Sequence, residues 1–155
     1  MANTYTQLYI QIVFSTKRRR RLVREYFREE LEKYICGIII GEKCKPLATY
    51  CNPDHIHIFV GIHPAISISE LVRKIKSNSS KWINERNLTT ERFQWQNGFG
   101  AFSYAQSQME TVINYVLNQP IHHKESTFKE EYVELLDRYE IDYDELYVVD
   151  PEDEC

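Results

Sequence analysis

The order of elements written into this 155-residue chain, β-α-β-β-α-β-α-α, predicts an α+β fold on an antiparallel sheet. Three observations support it. An alternating apolar strand opens the chain, two strands meet around Asn52-Pro53-Asp54, and each helix after the first starts at a recognisable cap. Two strands joined by a tight turn, flanked on each side by a helix and a further strand, make a split βαβ pair. The expected architecture is ferredoxin-like, the form shared with RNA-recognition domains. Its helices lie on one face of the sheet and the other face is left to a ligand.

Residues 5–15 alternate, with Leu8, Ile10, Ile12 and Phe14 on one side and Tyr5, Gln7, Tyr9 and Gln11 on the other. This strand is also expected to offer an edge on which two sheets can pair. A basic turn, Lys17 to Arg21, leads into apolar residues at helical spacing from Leu22 to about Ile40. Residues 46–51 and 55–62 read as strands on either side of the Asn-Pro-Asp turn. Ser67-Ile68-Ser69-Glu70 is a capping box for a helix over 67–87, with its stripe at Ile68, Leu71, Val72, Ile75, Ser79, Trp82 and Ile83. A strand is expected over 101–107. A second box, Ser107 to Glu110, starts a helix that Pro120 should stop near Gln119. A third box, Thr127 to Glu130, opens an acidic helix to about Tyr139.

Composition narrows the class. At 43% hydrophobic and 27% charged, with 11 Tyr, 7 Phe and 2 Trp, the chain can build a sizeable core. The longest apolar run, Tyr34 to Gly41, is far short of the roughly 20 residues that span a bilayer. No secretory leader is visible, and a cytoplasmic protein is expected. Four cysteines without a CxxC pair read as reduced thiols. Charge is divided unevenly. From Glu125 onward there are 13 acidic side chains against Lys129 and Arg138, a net of −11, which leaves +7 on residues 1–124. The chain therefore divides into a basic body, 1–124, and an acidic C-terminal helix and tail, 125–155. A basic body suits a polyanionic partner, although solvated surface charge has the same composition.

Two pairs of residues can do chemistry. His55 and His57 leave the same face of a strand and can chelate one metal ion, though two strand histidines need not. Tyr115 and Gln119, four apart on a helix, project together as a phenol nucleophile and an amide oxygen ligand. A zinc site of Cys44, Cys51, His55 and His57 is a further reading, but the Cys-x6-Cys spacing is not that of a knuckle. Histidine-triad chemistry would require a third alternating histidine where position 59 is Phe.

Three segments taken together resemble a known family: Pro53-Asp54-His55-Ile56-His57-Ile58-Phe59-Val60, Trp95 to Ser103, and Tyr115-Val116-Leu117-Asn118-Gln119 with His122-His123. They are similar to the single-tyrosine HUH transposases of the smallest bacterial insertion sequences, which move as single-stranded DNA. The resemblance extends from the first strand to about Tyr147. It implies that His55, His57 and Gln119 hold Mg²⁺ or Mn²⁺ and that Tyr115 cleaves DNA through a 5′-phosphotyrosine. It also implies single-stranded DNA with hairpin ends as partner. The active form it implies is a homodimer in which one subunit's tyrosine helix serves the other's HUH site. Many members carry a Glu upstream of the HUH strand where this chain has Asn52 or Asp54. No nucleotide cofactor is expected, because no phosphate-binding loop is present. Lys17, Arg18, Arg19, Arg20 and Arg21 are candidate DNA contacts, with Arg73 and Lys76 of the following helix as a second set. The alternatives are a domesticated relative that binds genomic repeats and a nucleic-acid-binding module without catalysis.

Overall fold

The computed structural model describes residues 3–122 and 127–143. In chain order the elements are β1 (Tyr9–Ser15), α1 (Glu25–Gly41), β2 (Lys45–Cys51), β3 (His55–Gly61), α2 (Ile68–Glu85), β4 (Gly100–Tyr104), α3 (Met109–Leu117), α4 (Gln119–His122) and α5 (Phe128–Arg138). The four strands form one antiparallel sheet in the order β2-β3-β1-β4, the order of a ferredoxin-like fold. β1 is therefore not an edge. It pairs with β3 on one side (Val13 opposite His57, Ser15 opposite His55) and with β4 on the other, so it cannot join two sheets as expected. The edges are β4 and β2. On β2 the register slips between Pro46 and Ala48, as suits a strand whose proline cannot donate to a ladder.

Alternation along β3 divides the molecule into two halves. Ile56, Ile58 and Val60 join Ile12 and Phe14 under α1 (Phe27, Leu31, Ile35, Ile39) and α2 (Leu71, Val72, Ile75, Ile83), all buried. The opposite face, expected to be left to a ligand, carries α3 and α5. Phe59 and Ala48 pack on Val112 and Val116 of α3. Val13 and Phe102 pack on Phe128, Tyr132, Leu135 and Leu136 of α5. The physical reason is that β3 is buried on both sides, and a face holding Val13, Phe59 and Phe102 must itself be covered.

Two of the three expected caps form. Ser67 Oγ accepts from the Glu70 N–H at 3.1 Å, and Thr127 Oγ1 accepts from the Glu130 N–H at 3.2 Å. The box at Ser107 does not form. A single 3-10 turn, Gln106–Gln108, precedes α3, and Gln108 Oε1 accepts from the Ala105 N–H at 2.9 Å. α3 ends at Leu117, and Gln119 opens a new turn in which Pro120 holds an early position that requires no N–H donor. The first helix starts three residues later than its apolar pattern suggests. Leu22 and Val23 are buried ahead of it, with the Val23 N–H donating to Pro53 O at 3.1 Å.

Gly100 explains how α5 lies so close to β4. A Cβ at that position would fall 2.6 Å from Tyr132 Cε2, so only glycine leaves room for the ring. Among the described residues no helix is long and apolar enough to cross a membrane. His123, the segment 123–126 and the acidic stretch 144–155 with Cys155 lie outside the described residues.

Candidate metal and nucleophile site

The site starts with a turn. The Asn52 N–H donates to His55 O at 2.7 Å, which closes the loop and aims the first residues of β3. With a strand period of two, His55 and His57 both leave the α3/α5 face, where they are 1% and 0% exposed. Their rings meet edge to face at 5.3 Å.

Each imidazole is fixed from behind. His55 Nδ1 lies 2.7 Å from Asp54 Oδ1, and His57 Nδ1 lies 2.9 Å from Gln11 Oε1. Both partners are acceptors, so each Nδ1 holds its proton and each Nε2 is turned toward the site. Gln11 is itself anchored, its Nε2 donating to the Tyr104 hydroxyl at 2.9 Å.

Facing the two Nε2 atoms is Glu131 of α5. Its Oε1 is 2.7 Å from His57 Nε2 and 3.7 Å from His55 Nε2. Donor atoms of His55, His57 and Glu131 all lie within 4.8 Å of one another, and all three residues are buried. Burial works to raise the Glu131 pKa, but hydrogen bonds from His55 and His57 outweigh it and hold the carboxyl well below the usual range. Burial likewise opposes charge on His55. Asp54 and Glu131 outweigh it and raise the imidazole above its ordinary value. Two nitrogens and a carboxylate oxygen at this spacing are a donor set that fits a divalent cation.

Gln119, expected as the third ligand, is completely buried at the same place. Its Oε1 accepts from Asn52 Nδ2 at 3.3 Å, and the same Nδ2 lies 3.2 Å from His55 Nε2. Tyr115 stands over the site with its ring 5.7 Å from that of His57, edge to face. Burial pushes its phenol pKa up, and the negative Glu131 beside it pushes further, while a hydrogen bond with Gln119 works the other way.

Sequence reasoning missed Glu131. A signal was present. Phe128, Glu131, Tyr132, Leu135 and Leu136 form one helical stripe, and a carboxylate within an apolar stripe has to meet a partner. The zinc reading fails, because Cys44 and Cys51 are buried in the α1/α2 core on the other side of the sheet.

The basic residues occupy one end of the sheet. Lys17 to Arg21 form the loop after β1, tied to the histidine turn by Thr16 N–H donating to Asp54 O at 2.8 Å. Arg18 and Arg19 take left-handed backbone (φ 58° and 53°), a strained pair that the surrounding hydrogen bonds must hold. Arg20 is paired with Glu91. Lys17, Arg73 and Lys76 line a cleft of about 650 Å³ between α2 and residues 92–99. Lys76 has a structural task there, since its Nζ donates to Gln96 O at 2.9 Å and Gly98 O at 2.5 Å. Arg73 is paired with Glu70 at 2.5 Å on an exposed face.

The fold and this site together define a class: an α+β protein whose sheet presents paired histidines to a tyrosine on a late helix. Residues 4–119 match the family model described as "Transposase IS200 like", and the chain belongs to that family of DNA-processing enzymes. Two solved structures share the fold. One is a candidate transposase from Deinococcus radiodurans R1, with a TM-score of 0.60 and 16% identity, covering 76% of this chain and 94% of that one. The other is a REP-associated tyrosine transposase bound to a REP hairpin, with a TM-score of 0.59 and 16% identity, covering 78% and 72%. No curated protein matches the chain in sequence.

Proposed function

We propose that this transposase is a metal-dependent strand-transferase acting on single-stranded DNA through a covalent tyrosine intermediate. The convergence of His55 Nε2, His57 Nε2, the Glu131 carboxylate and Tyr115 in one buried place supports this reading. His55, His57 and Glu131 would hold Mg²⁺ or Mn²⁺, with Gln119 as a further oxygen donor. The bound cation would supply Lewis-acid polarisation of the scissile phosphate.

The side chains account for the remaining steps. Asp54 and Gln11 keep the imidazoles oriented. Tyr115 loses its proton and its oxygen attacks phosphorus; the P–O3′ bond breaks, and the leaving 3′-oxygen takes up a proton. The products are a 5′-phosphotyrosine and a free 3′-OH, and attack by a second 3′-OH reseals the strand. Burial and the negative Glu131 beside it disfavour the Tyr115 phenolate, so a cation held by Glu131 would favour loss of the phenol proton. Lys17, Arg18, Arg19, Arg20 and Arg21, fixed to the histidine turn, guide the phosphate backbone past the end of the sheet, with Arg73 and Lys76 as a second contact. The likeness to a hairpin-bound transposase supports hairpin-ended DNA as the substrate. That same likeness favours a second reading, a repeat-binding relative that holds a hairpin without cleaving it.

The test is a covalent adduct. The protein is incubated with Mn²⁺ and labelled single-stranded DNA from the ends of its own locus, beside Tyr115→Phe. An adduct in the wild type alone supports strand transfer. Hairpin retention without adduct selects the binding reading, and adduct in Tyr115→Phe overturns the tyrosine assignment. Mixing Tyr115→Phe with His57→Ala separates a site built within one chain from a site shared across a homodimer. Recovered cleavage means exchange of the tyrosine helix; a dead mixture with proven heterodimers means assembly in one chain.

A further inference from the structure

A second cavity opens beside Tyr115, and nothing in the metal chemistry requires it. It measures about 440 Å³ and is enclosed by the end of β4, α3 and α5. Tyr115 and Glu131 belong to its wall as well as to the metal site. Tyr104 and Tyr139 line it with their rings 6.0 Å apart and nearly perpendicular, backed by Phe102 at 5.2 Å from Tyr139. Val112 and Leu135 add apolar wall. Thr111, Gln108, Glu134 and Arg138 also line it and are exposed, so the cavity opens to solvent on their side.

We propose that this cavity receives one unstacked nucleobase of the DNA strand, that of a nucleotide flanking the phosphate attacked by Tyr115. This rests on the strand-transfer reading above and adds a subsite to it. The chemistry of the wall selects the occupant. At the mouth Arg138 pairs with Glu134 at 3.2 Å, and there the Gln108 amide, the Thr111 hydroxyl and the Glu134 carboxylate offer donors and acceptors to the amino, imino and carbonyl groups of a base. Aromatic rings and aliphatic side chains cover the faces a base exposes when it leaves its stack, while polar groups at the mouth meet its edge. The volume lies within the range of small-molecule sites and is far too small for a duplex. Position settles which nucleotide enters. With the scissile phosphate at the Tyr115 hydroxyl, the cavity is the adjoining concave space, because Tyr115 itself forms part of its wall. Part of that wall, Glu131, Glu134, Leu135, Arg138 and Tyr139, lies beyond residues 4–119, the part of the chain that matches the family model. The subsite is thus a feature that α5 adds to the shared core.

The experiment measures binding in EDTA, so that cleavage does not intervene, and uses the full chain. Fluorescent single-stranded oligonucleotides from the ends of the protein's own locus each carry one abasic position, stepped across the cleavage point. For the wild type, one abasic position next to the cleaved phosphate should weaken binding about tenfold, the loss expected for one stacked base. Thr111→Trp, at an exposed position of α3, fills the cavity without disturbing the core. In that variant the intact oligonucleotide should bind about tenfold more weakly, and the abasic one no worse than that. Tyr139→Leu should reproduce the loss of coupling by removing the ring. Equal affinity at every abasic position overturns the subsite, as does a tenfold abasic loss that persists in both variants. If either happens while the Tyr115 adduct still forms, strand transfer stands and the base pocket falls. If no single-stranded DNA binds at all, both fall together.

Discussion

Two faces of a single strand were put to different uses in this molecule. Ile56, Ile58 and Val60 of β3 enter an apolar core beneath α1 and α2, where each contributes through area removed from water and close packing. His55 and His57, interleaved with them, enter an equally buried but polar space beneath α3 and α5. There every nitrogen faces an oxygen or amide partner: Asp54, Gln11, Glu131, Asn52. The difference shows how a small fold supports a costly site. Buried charge is tolerable only if it is fully paired, and the pairing demands rigid neighbours. The apolar face supplies that rigidity by locking the backbone from which the histidines project.

The contrast can be broken from either side. His57→Ala should have the largest effect, because it removes a metal ligand and leaves Glu131 buried with half its partners. We expect a stability loss of about 3–5 kcal/mol in urea denaturation without metal, and Mn²⁺ affinity reduced beyond calorimetric detection. Retained Mn²⁺ binding would show that the cation sits elsewhere. Ile58→Ala, one residue along on the other face, should cost about 2–5 kcal/mol, yet the fraction still folded should bind Mn²⁺ as the wild type does. A matching fall in metal affinity would mean that the two faces are coupled more tightly than their separate cores suggest.

Glu131→Gln sharpens the chemistry of the polar face by keeping shape and removing charge. Metal affinity should fall about ten- to 100-fold, and by more than in Gln119→Ala if the carboxylate is the third donor. The reverse ranking would restore Gln119 to that place. Gly100→Ala probes how α5 is held, since the new Cβ collides with the Tyr132 ring. We expect a cost of about 1–3 kcal/mol, seen in hydrogen exchange as lost protection in α5 while α1 is unchanged. Uniform loss across both helices would argue against α5 as a separately docked element. The smallest change should follow Arg18→Gln with Arg21→Gln. The slope of log affinity for single-stranded DNA against log salt should flatten by about 1.4, and an unchanged slope would return both residues to ordinary solvated surface.

Some of this was determined by the sequence alone, because it depends on near neighbours in the chain. The alternation of β3 puts His55 and His57 on one face whatever else the protein does, since a strand repeats every two residues. The i, i+4 spacing does the same for Tyr115 and Gln119, and Ser67 and Thr127 announce their helices through bonds spanning three residues. The basic loop and the acidic C-terminal region were plain from charge. Only the tertiary structure decided which distant groups complete the site. Glu131 lies 74 residues from His57, and its place there depends on α5 packing across Val13 and Phe102. That docking depends in turn on Gly100 leaving room for Tyr132. The same packing covered a face expected to lie open and created the cavity beside Tyr115. Local periodicity tells each side chain which way to point, but the partner it meets is set by how helices and sheet bury their remaining apolar surface, a property of the whole chain.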